Sequence, residues 1–274
     1  MEVNKTSGLL IGPPRMRKIV DIDAITPTFR VGDCWVKRDD FFYANGGRGG
    51  KCRAAVKLTE GSSGVVTYGS RTSPQGAYTV CAAASVGVQC VYVCPHGLVT
   101  PEMAYVAERG GEVVQIVPGY LSQCRSVANQ IAKVREFTMI PLSMESETAV
   151  QSTRQQVPGS IPDDVQRVVV VVGGGISAAG ISWGLQDIGR QVPVVGVQIG
   201  RDPRKQLIRW CPFGRANEIE VVQARDGYHR RAPNVWRDVV VDPYYEAKCL
   251  PFIQPGDLFW IVGIRPVLDG IVID

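Results

Sequence analysis

Two stretches of this chain hold residue types that can do chemistry. The first is "GGRGGKCRAA" over 46–55, where a glycine-rich loop gives way at Lys51 to a run of small residues. Glycine lets a backbone approach a ligand closely. A lysine kept unprotonated there, by desolvation or by cationic neighbours, is a nucleophile toward a carbonyl carbon. Composition alone would make Lys51 an ordinary solvated lysine, since lysines are rarely buried. The second stretch is "GGGISAAG" over 173–180, which follows "RVVVVV". Consecutive valines suit a strand buried on both faces. Backbone N–H groups at a helix start, with the macrodipole behind them, bind phosphate, and Ser177 adds a hydroxyl donor there.

Four readings of 173–180 stand side by side. A P-loop would end in GK[ST], which is absent. A dinucleotide fingerprint is nearly met by Gly173-x-Gly175-x-x-Ala178, with Arg201 or Asp202 placed to address a ribose or its 2′-phosphate. The loop also suits the phosphate cup of a pyridoxal-phosphate enzyme. The plainest reading is a tight strand-to-helix turn with no ligand.

The elements that must position these residues alternate along the chain. "GVVTYGS", "QCVYVCP", "EVVQIV" and "TMIPL" read as strands, separated by helices over "PQGAYTVCAAASVGV", "PEMAYVAERGG" and "YLSQCRSVANQIAKVREF". A polar, proline-bearing connection over 145–164 leads to a second such unit beginning at the valine run, and "LFWIVGI" supplies another central strand. This alternation predicts an α/β protein with two open, twisted, mostly parallel sheets, flanking helices and a cleft between two lobes. The lobes are expected to be 1–53 with 147–274, and 54–146.

The 274 residues are 45% hydrophobic and carry a net charge of +4. That permits a sizeable core and excludes a disordered or polybasic chain. None of the eight cysteines forms a CxxC pair, and there are two histidines, so no metal site is expected. Cys81, Cys90 and Cys94 sit in apolar runs, as reduced buried thiols do. No apolar run approaches the length of a membrane span, and a soluble, cytoplasmic protein is expected.

The segment around Lys51 resembles the fold type II pyridoxal-phosphate enzymes, the tryptophan synthase β superfamily. It is most like the branch with aminocyclopropane-carboxylate deaminase and D-cysteine desulfhydrase. Lys37-Arg38-Asp39-Asp40 is similar to that branch's K-R-[DE]-D, and Gly49-Gly50-Lys51-Cys52-Arg53 to its G-G-N-K-x-R, with Gly50 in place of asparagine. "VTYGSRTSPQG", "GGGISAAG", "VVVDPYYEAK" and "LFWIVGIRPV" resemble further family segments in the same order. The resemblance implies pyridoxal 5′-phosphate as cofactor, bound through a Schiff base to Lys51. Its phosphate would lie on Gly173, Gly174, Gly175, Ile176 and Ser177, and its ring nitrogen against Glu246. Tyr245 would face the substrate, with Tyr228 as a second such tyrosine. Ser73 would bind the substrate carboxylate or move a proton, although it could equally cap the helix that follows.

The implied activity is that of a lyase or deaminase acting at the α-carbon of an amino acid, by deamination, elimination or decarboxylation, in a homodimer. Two departures matter. The family's S-N-H becomes Ser73-Pro74-Gln75, which removes an asparagine that meets the cofactor's ring oxygen, unless a shift of one residue places Ser73 there. Its G-G-x-P turn becomes Gly263-Ile264-Arg265-Pro266. A non-catalytic binding protein on the same scaffold is therefore an alternative. Arginines with interleaved aromatics over 200–217 and 226–237 read as a solvated face. They would also suit an amino-acid-like group carried on a nucleotide or nucleic acid.

Overall fold

The computed structural model describes residues 21–268. Positions 1–20 and 269–274 of the expected lobe of 1–53 with 147–274 lie outside the described residues. Strand β1 (Thr28–Val31) turns back into β2 (Cys34–Arg38). A 3-10 turn leads to a short hairpin, β3 (Tyr43–Ala44) with β4 (Gly47–Arg48), and then to α1 (Gly50–Thr59). Next come β5 (Gly64–Tyr68), α2 (Gln75–Val86), β6 (Gln89–Pro95), α3 (Pro101–Glu108), β7 (Glu112–Ile116), α4 (Leu121–Arg135) and β8 (Thr138–Met139). Helix α5 (Glu147–Arg154) precedes β9 (Arg167–Val172), α6 (Ile176–Asp187), β10 (Val194–Gln198), α7 (Arg204–Trp210) and β11 (Ile219–Gln223). A hairpin of β12 (Val235–Trp236) and β13 (Val239–Val240) comes before β14 (Asp257–Ile261).

Two sheets result. One has the order β1-β2-β14-β9-β10-β11, and the other β7-β6-β5-β8. Every pairing within them is parallel except the β1–β2 edge. The valine run is the centre of the larger sheet, with Val168, Val169 and Val170 fully buried between β14 and β10. "TMIPL" pairs over only two residues, because Pro141 opens a turn there. Side-chain oxygens of Thr100 and Ser146 cap α3 and α5, satisfying N–H groups that a helix start leaves free. All eight cysteines are buried and unbridged. No helix among the described residues is long and apolar enough to cross a membrane.

The K-R-D-D run at the end of β2 is buried throughout, and each charge has a partner inside the fold. Arg38 grips Asp40 through two bonds of 2.8 and 2.7 Å. Asp39 accepts from Arg53 on α1 at 2.7 Å and from the Thr26 hydroxyl at 3.1 Å. Lys37 donates to the Thr26 carbonyl and to Ser160 Oγ, and burial lowers its pKa to about 8 against the pull of Asp39. Guanidinium N–H groups left without acceptors on Arg38 and Arg53 belong to cations stacked on Phe41 and Phe42, at 4.3 and 4.7 Å from the ring centroids.

Asp39–Arg53 joins the larger sheet to the helix that carries Lys51. Arg53→Met strands a buried carboxylate and should cost about 3–5 kcal/mol, read from urea unfolding. Adding Asp39→Asn should recover part of that loss. A single-variant cost below about 1 kcal/mol would mean that water reaches Asp39.

Candidate functional site

The C-terminal ends of β9 and β14 face one cleft of about 690 Å³, its open mouth included. Such sheet ends are where open α/β proteins bind ligands. Lys51 lies in the first turn of α1 and lines the cleft. Its position depends on Gly49, whose φ of 89° is in the left-handed region, and where a Cβ would stand 2.4 Å from the Val262 carbonyl. The Gly50 N–H then donates to that carbonyl at 2.8 Å, pressing the helix start against the end of β14. Lys51 Nζ lies 4.9 Å from the Tyr245 ring centroid. Burial pushes its ammonium below the ordinary lysine range and Arg265 adds to this, while Glu246 and Asp242 oppose it. The result is an amine readier to act as a nucleophile.

The glycine loop lines the same cleft. Gly175, at φ 80°, begins α6, and no side chain caps the helix. The first-turn N–H groups of a helix lack intrahelical acceptors, so Ile176, Ser177 and their neighbours present donors to an anion. A Cβ on Gly173 would meet the Tyr228 hydroxyl at 3.1 Å, and one on Gly174 would meet Ser143 Cβ at 3.6 Å. Bare glycines therefore leave a cradle between these side chains.

Two carboxyls near the floor of the cleft differ in kind. Asp242 is fully engaged, accepting from the Tyr244 and Tyr245 N–H groups at 2.8 and 3.1 Å and from Arg265 N–H and Nε at 3.1 Å each. Glu246, 3% exposed, accepts the Gly263 N–H at 3.3 Å and has no ion-pair partner among the described residues. Burial, and then Asp242, push its pKa well above the carboxylate range, against Lys51 and backbone N–H groups. A buried acid in this state fits a ligand that brings its own protonatable nitrogen.

Tyr228 and Tyr245 meet edge to face, with ring centroids 5.7 Å apart, and both line the cleft. Lys51, the 173–177 loop, Glu246 and both tyrosines are thus brought together. Ser73 is not among them. It faces an adjoining outer chamber with Thr72, Thr100 and Arg231, and its Oγ accepts the Gln75 N–H at 3.2 Å. Pro74, not Ser73, lines the inner cleft. Gln75 turns into the core, donating to Thr67 and the Pro141 carbonyl and accepting the Ser143 N–H at 3.0 Å.

Tyr78, Asp242 and Arg265 were not singled out in the sequence as site residues. Tyr78 follows Pro74 by one helical turn and so shares its face; that spacing was the available signal. It is 5% exposed, and no group among the described residues hydrogen-bonds its hydroxyl. Burial raises its pKa well above the usual phenol value. Arg265 binds Asp242, reaches Glu102 of α3 at 3.5 Å and lies 3.9 Å over the Tyr244 ring. It ties the two sheets together across the cleft. Of the arginine-rich stretches, Arg230 pairs with Asp226 at 3.3 Å and Arg231 donates to the Tyr244 hydroxyl at 2.7 Å.

Comparison with known proteins gives a consistent pattern. The family described as pyridoxal-phosphate dependent enzyme matches residues 14–209. D-cysteine desulfhydrase of Klebsiella pneumoniae (strain 342) is 24% identical over 220 residues, which span 71% of this chain and 66% of that relative, just under two thirds of its length. Among solved structures, an ACC deaminase homologue shares the fold at a TM-score of 0.74 and 18% identity, covering 91% of each chain. Threonine deaminase isoform 2 from Solanum lycopersicum does so at 0.68 and 14% identity, covering 90% of this chain and 86% of that one.

The raised Glu246 pKa has a sign that can be tested. The folded state holds this proton to higher pH than the unfolded chain, so its contribution to stability is complete in acid. It is lost as pH rises through the folded value. In cofactor-free protein, Glu246→Gln should therefore raise the melting temperature at about pH 8 and change it little at about pH 4. An equal effect at both pH values would assign the titration to another group.

Proposed function

Because this chain belongs to the pyridoxal-phosphate dependent enzyme family, we propose that it is a lyase of the deaminase and desulfhydrase kind, acting at the α-carbon of an amino acid. The observation that carries this is one cleft holding Lys51, the uncapped glycine loop and Glu246, which has no ion-pair partner among the described residues. Lys51 would hold the cofactor's carbonyl carbon, and Gly173 to Ser177 its phosphate. Glu246 would meet its ring nitrogen. Tyr78 offers a ring oxygen the hydroxyl that Pro74 cannot. When bound, the cofactor draws electrons away from the substrate's α-carbon and weakens the bonds to it. Lys51 Nζ, desolvated and beside Tyr245, is the group placed to take or return the α-proton. Tyr228 and Tyr245 line the cleft and would help to exclude water from a bound cofactor. Ser73, in the outer chamber, would receive the substrate carboxylate.

The reaction type follows the names of the similar proteins, a desulfhydrase and deaminases. We read residues 54–146 as the smaller lobe and 1–53 with 147–274 as the larger. Unbridged cysteines support a reducing, cytoplasmic setting. Exposed Leu98, Val99, Val117 and Tyr120 support a homodimer.

Borohydride treatment of the loaded protein should fix the cofactor on Lys51, and Lys51→Ala should abolish that attachment. Ser177→Asp sets a carboxylate against a dianion at a helix start, a repulsion of several kcal/mol at about 4 Å in a partly buried site, and should purify colourless. Full attachment in either variant, by mass spectrometry and absorbance, would move the cofactor elsewhere.

Tyr78→Phe removes a donor that burial keeps protonated. The visible band of the loaded protein should then titrate at a higher pH, and cofactor should bind about tenfold more weakly, as expected for loss of one hydrogen bond to a charged oxygen. Equal titration and affinity in Tyr78→Phe would leave the ring oxygen to another group.

A further inference from the structure

A further chamber, of about 1490 Å³ counted to its open mouth, adjoins the glycine loop. It shares Gly173, Gly174, Ser143 and Tyr228 with the inner cleft and is not lined by Lys51 or Glu246. Three arginines from three separate elements line it: Arg125 of α4, Arg201 after β10 and Arg209 of α7. Glu145 is the one carboxylate among its lining residues. That carboxylate accepts from Trp210 Nε1 at 3.3 Å and lies 3.7 Å from Arg209.

Arg30, Arg135, Arg154, Arg190 and Arg204 each meet a carboxylate within about 3 Å. Arg125 and Arg201 have no carboxylate partner among the described residues, yet both border a cavity that opens into the cleft. Their two charges exceed what Glu145 can offset.

We propose that this chamber binds a phosphate group carried by the substrate, so that an amino-acid end reaches Lys51 past Tyr228 while a phosphate end rests among Arg125, Arg201 and Arg209. The inference rests on the reading of the cleft as the cofactor site. A carboxylate offers two oxygens to three guanidinium forks, whereas a phosphate ester offers more oxygens and more charge, and arginine matches it in paired bonds. The cofactor's own phosphate is provided for by the start of α6, which leaves these side chains for a second anion. Arg201 and Arg209 come from the arginine-rich 200–217 stretch, so part of that stretch faces the site.

The test uses protein whose cofactor has been reduced onto Lys51 with borohydride, so that the phosphate cup is filled. Trp210, stacked 4.7 Å from Arg209, serves as a fluorescence reporter. The probes are inorganic pyrophosphate and a short single-stranded oligodeoxynucleotide, each titrated at low and at raised salt. Saturable quenching by at least one probe is expected, weakened about tenfold or more by Arg125→Ala with Arg201→Ala. Cofactor content should not change in that variant. Pyrophosphate alone, with a shallow salt dependence, would indicate a small phosphorylated substrate. Tighter oligonucleotide binding with a steep salt slope would indicate phosphate on a polymer. Binding of neither probe at low salt, or equal affinity in the double variant, overturns the proposal. Failure of borohydride to fix cofactor on wild-type Lys51 would count against the cofactor reading instead, and the double-variant comparison on untreated protein would still decide the chamber.

Discussion

Asp39 cannot reach water, and much of the site depends on what it binds instead. An unpaired carboxylate at that depth is strongly destabilising. Its compensation comes from Arg53, two residues after Lys51 on the same helix. Satisfying the charge at the end of β2 therefore also fixes where Lys51 begins its helix. The Gly49–Gly50 contact with Val262 sets the same helix start from the other side. Two constraints of different kind, one electrostatic and one steric, thus converge on a single turn of backbone. The neighbouring Arg38–Asp40 pair and the bonds from Lys37 to the Thr26 carbonyl and Ser160 keep the strand end from relaxing toward solvent.

The charge pattern of the cleft follows from how hydrogen bonds are distributed. Asp242 and Glu246 are four residues apart and both buried. Asp242 takes four donors, two of them from Arg265, so its charge is accounted for within the fold. Glu246 accepts backbone N–H groups, that of Gly263 among them, and is left short of a cation among the described residues. Low dielectric makes that shortage count. The shortage is a property suited to a ligand rather than to stability, and it lies in the same cleft as a desolvated lysine and a bare helix start.

The departures from the family pattern fall on one wall. Pro74 takes away a side-chain donor, and Tyr78, one turn on, presents a hydroxyl with no partner among the described residues. Arg265, at the open position of the G-G-x-P turn, binds Asp242 and Glu102 and stacks on Tyr244. Side chains distant in sequence thus adjust to one another around the same space. A pattern of short motifs does not register such exchanges, because each motif is judged alone.

The alternation of valine-rich runs with helical stretches determined the parallel α/β architecture, since period and length are local properties. The glycine spacing around Lys51 and in 173–175 likewise marked both halves of the cleft, because backbone approach and positive φ are carried by the residue itself. The sequence left open whether Ser73 or Pro74 occupies the inner wall, since a turn can place either one there; the fold puts Pro74 inside and Ser73 in the outer chamber. It marked Tyr78 only by its helical spacing from Pro74, and was silent on whether the hydroxyl finds a partner. It was equally silent on which arginines are paired. Arg204 and Arg201 lie three residues apart in one basic stretch, yet one meets Asp202 and the other borders a cavity. Burial, pairing and cavities are relations between distant segments, and only the packing of the two sheets against each other decides them.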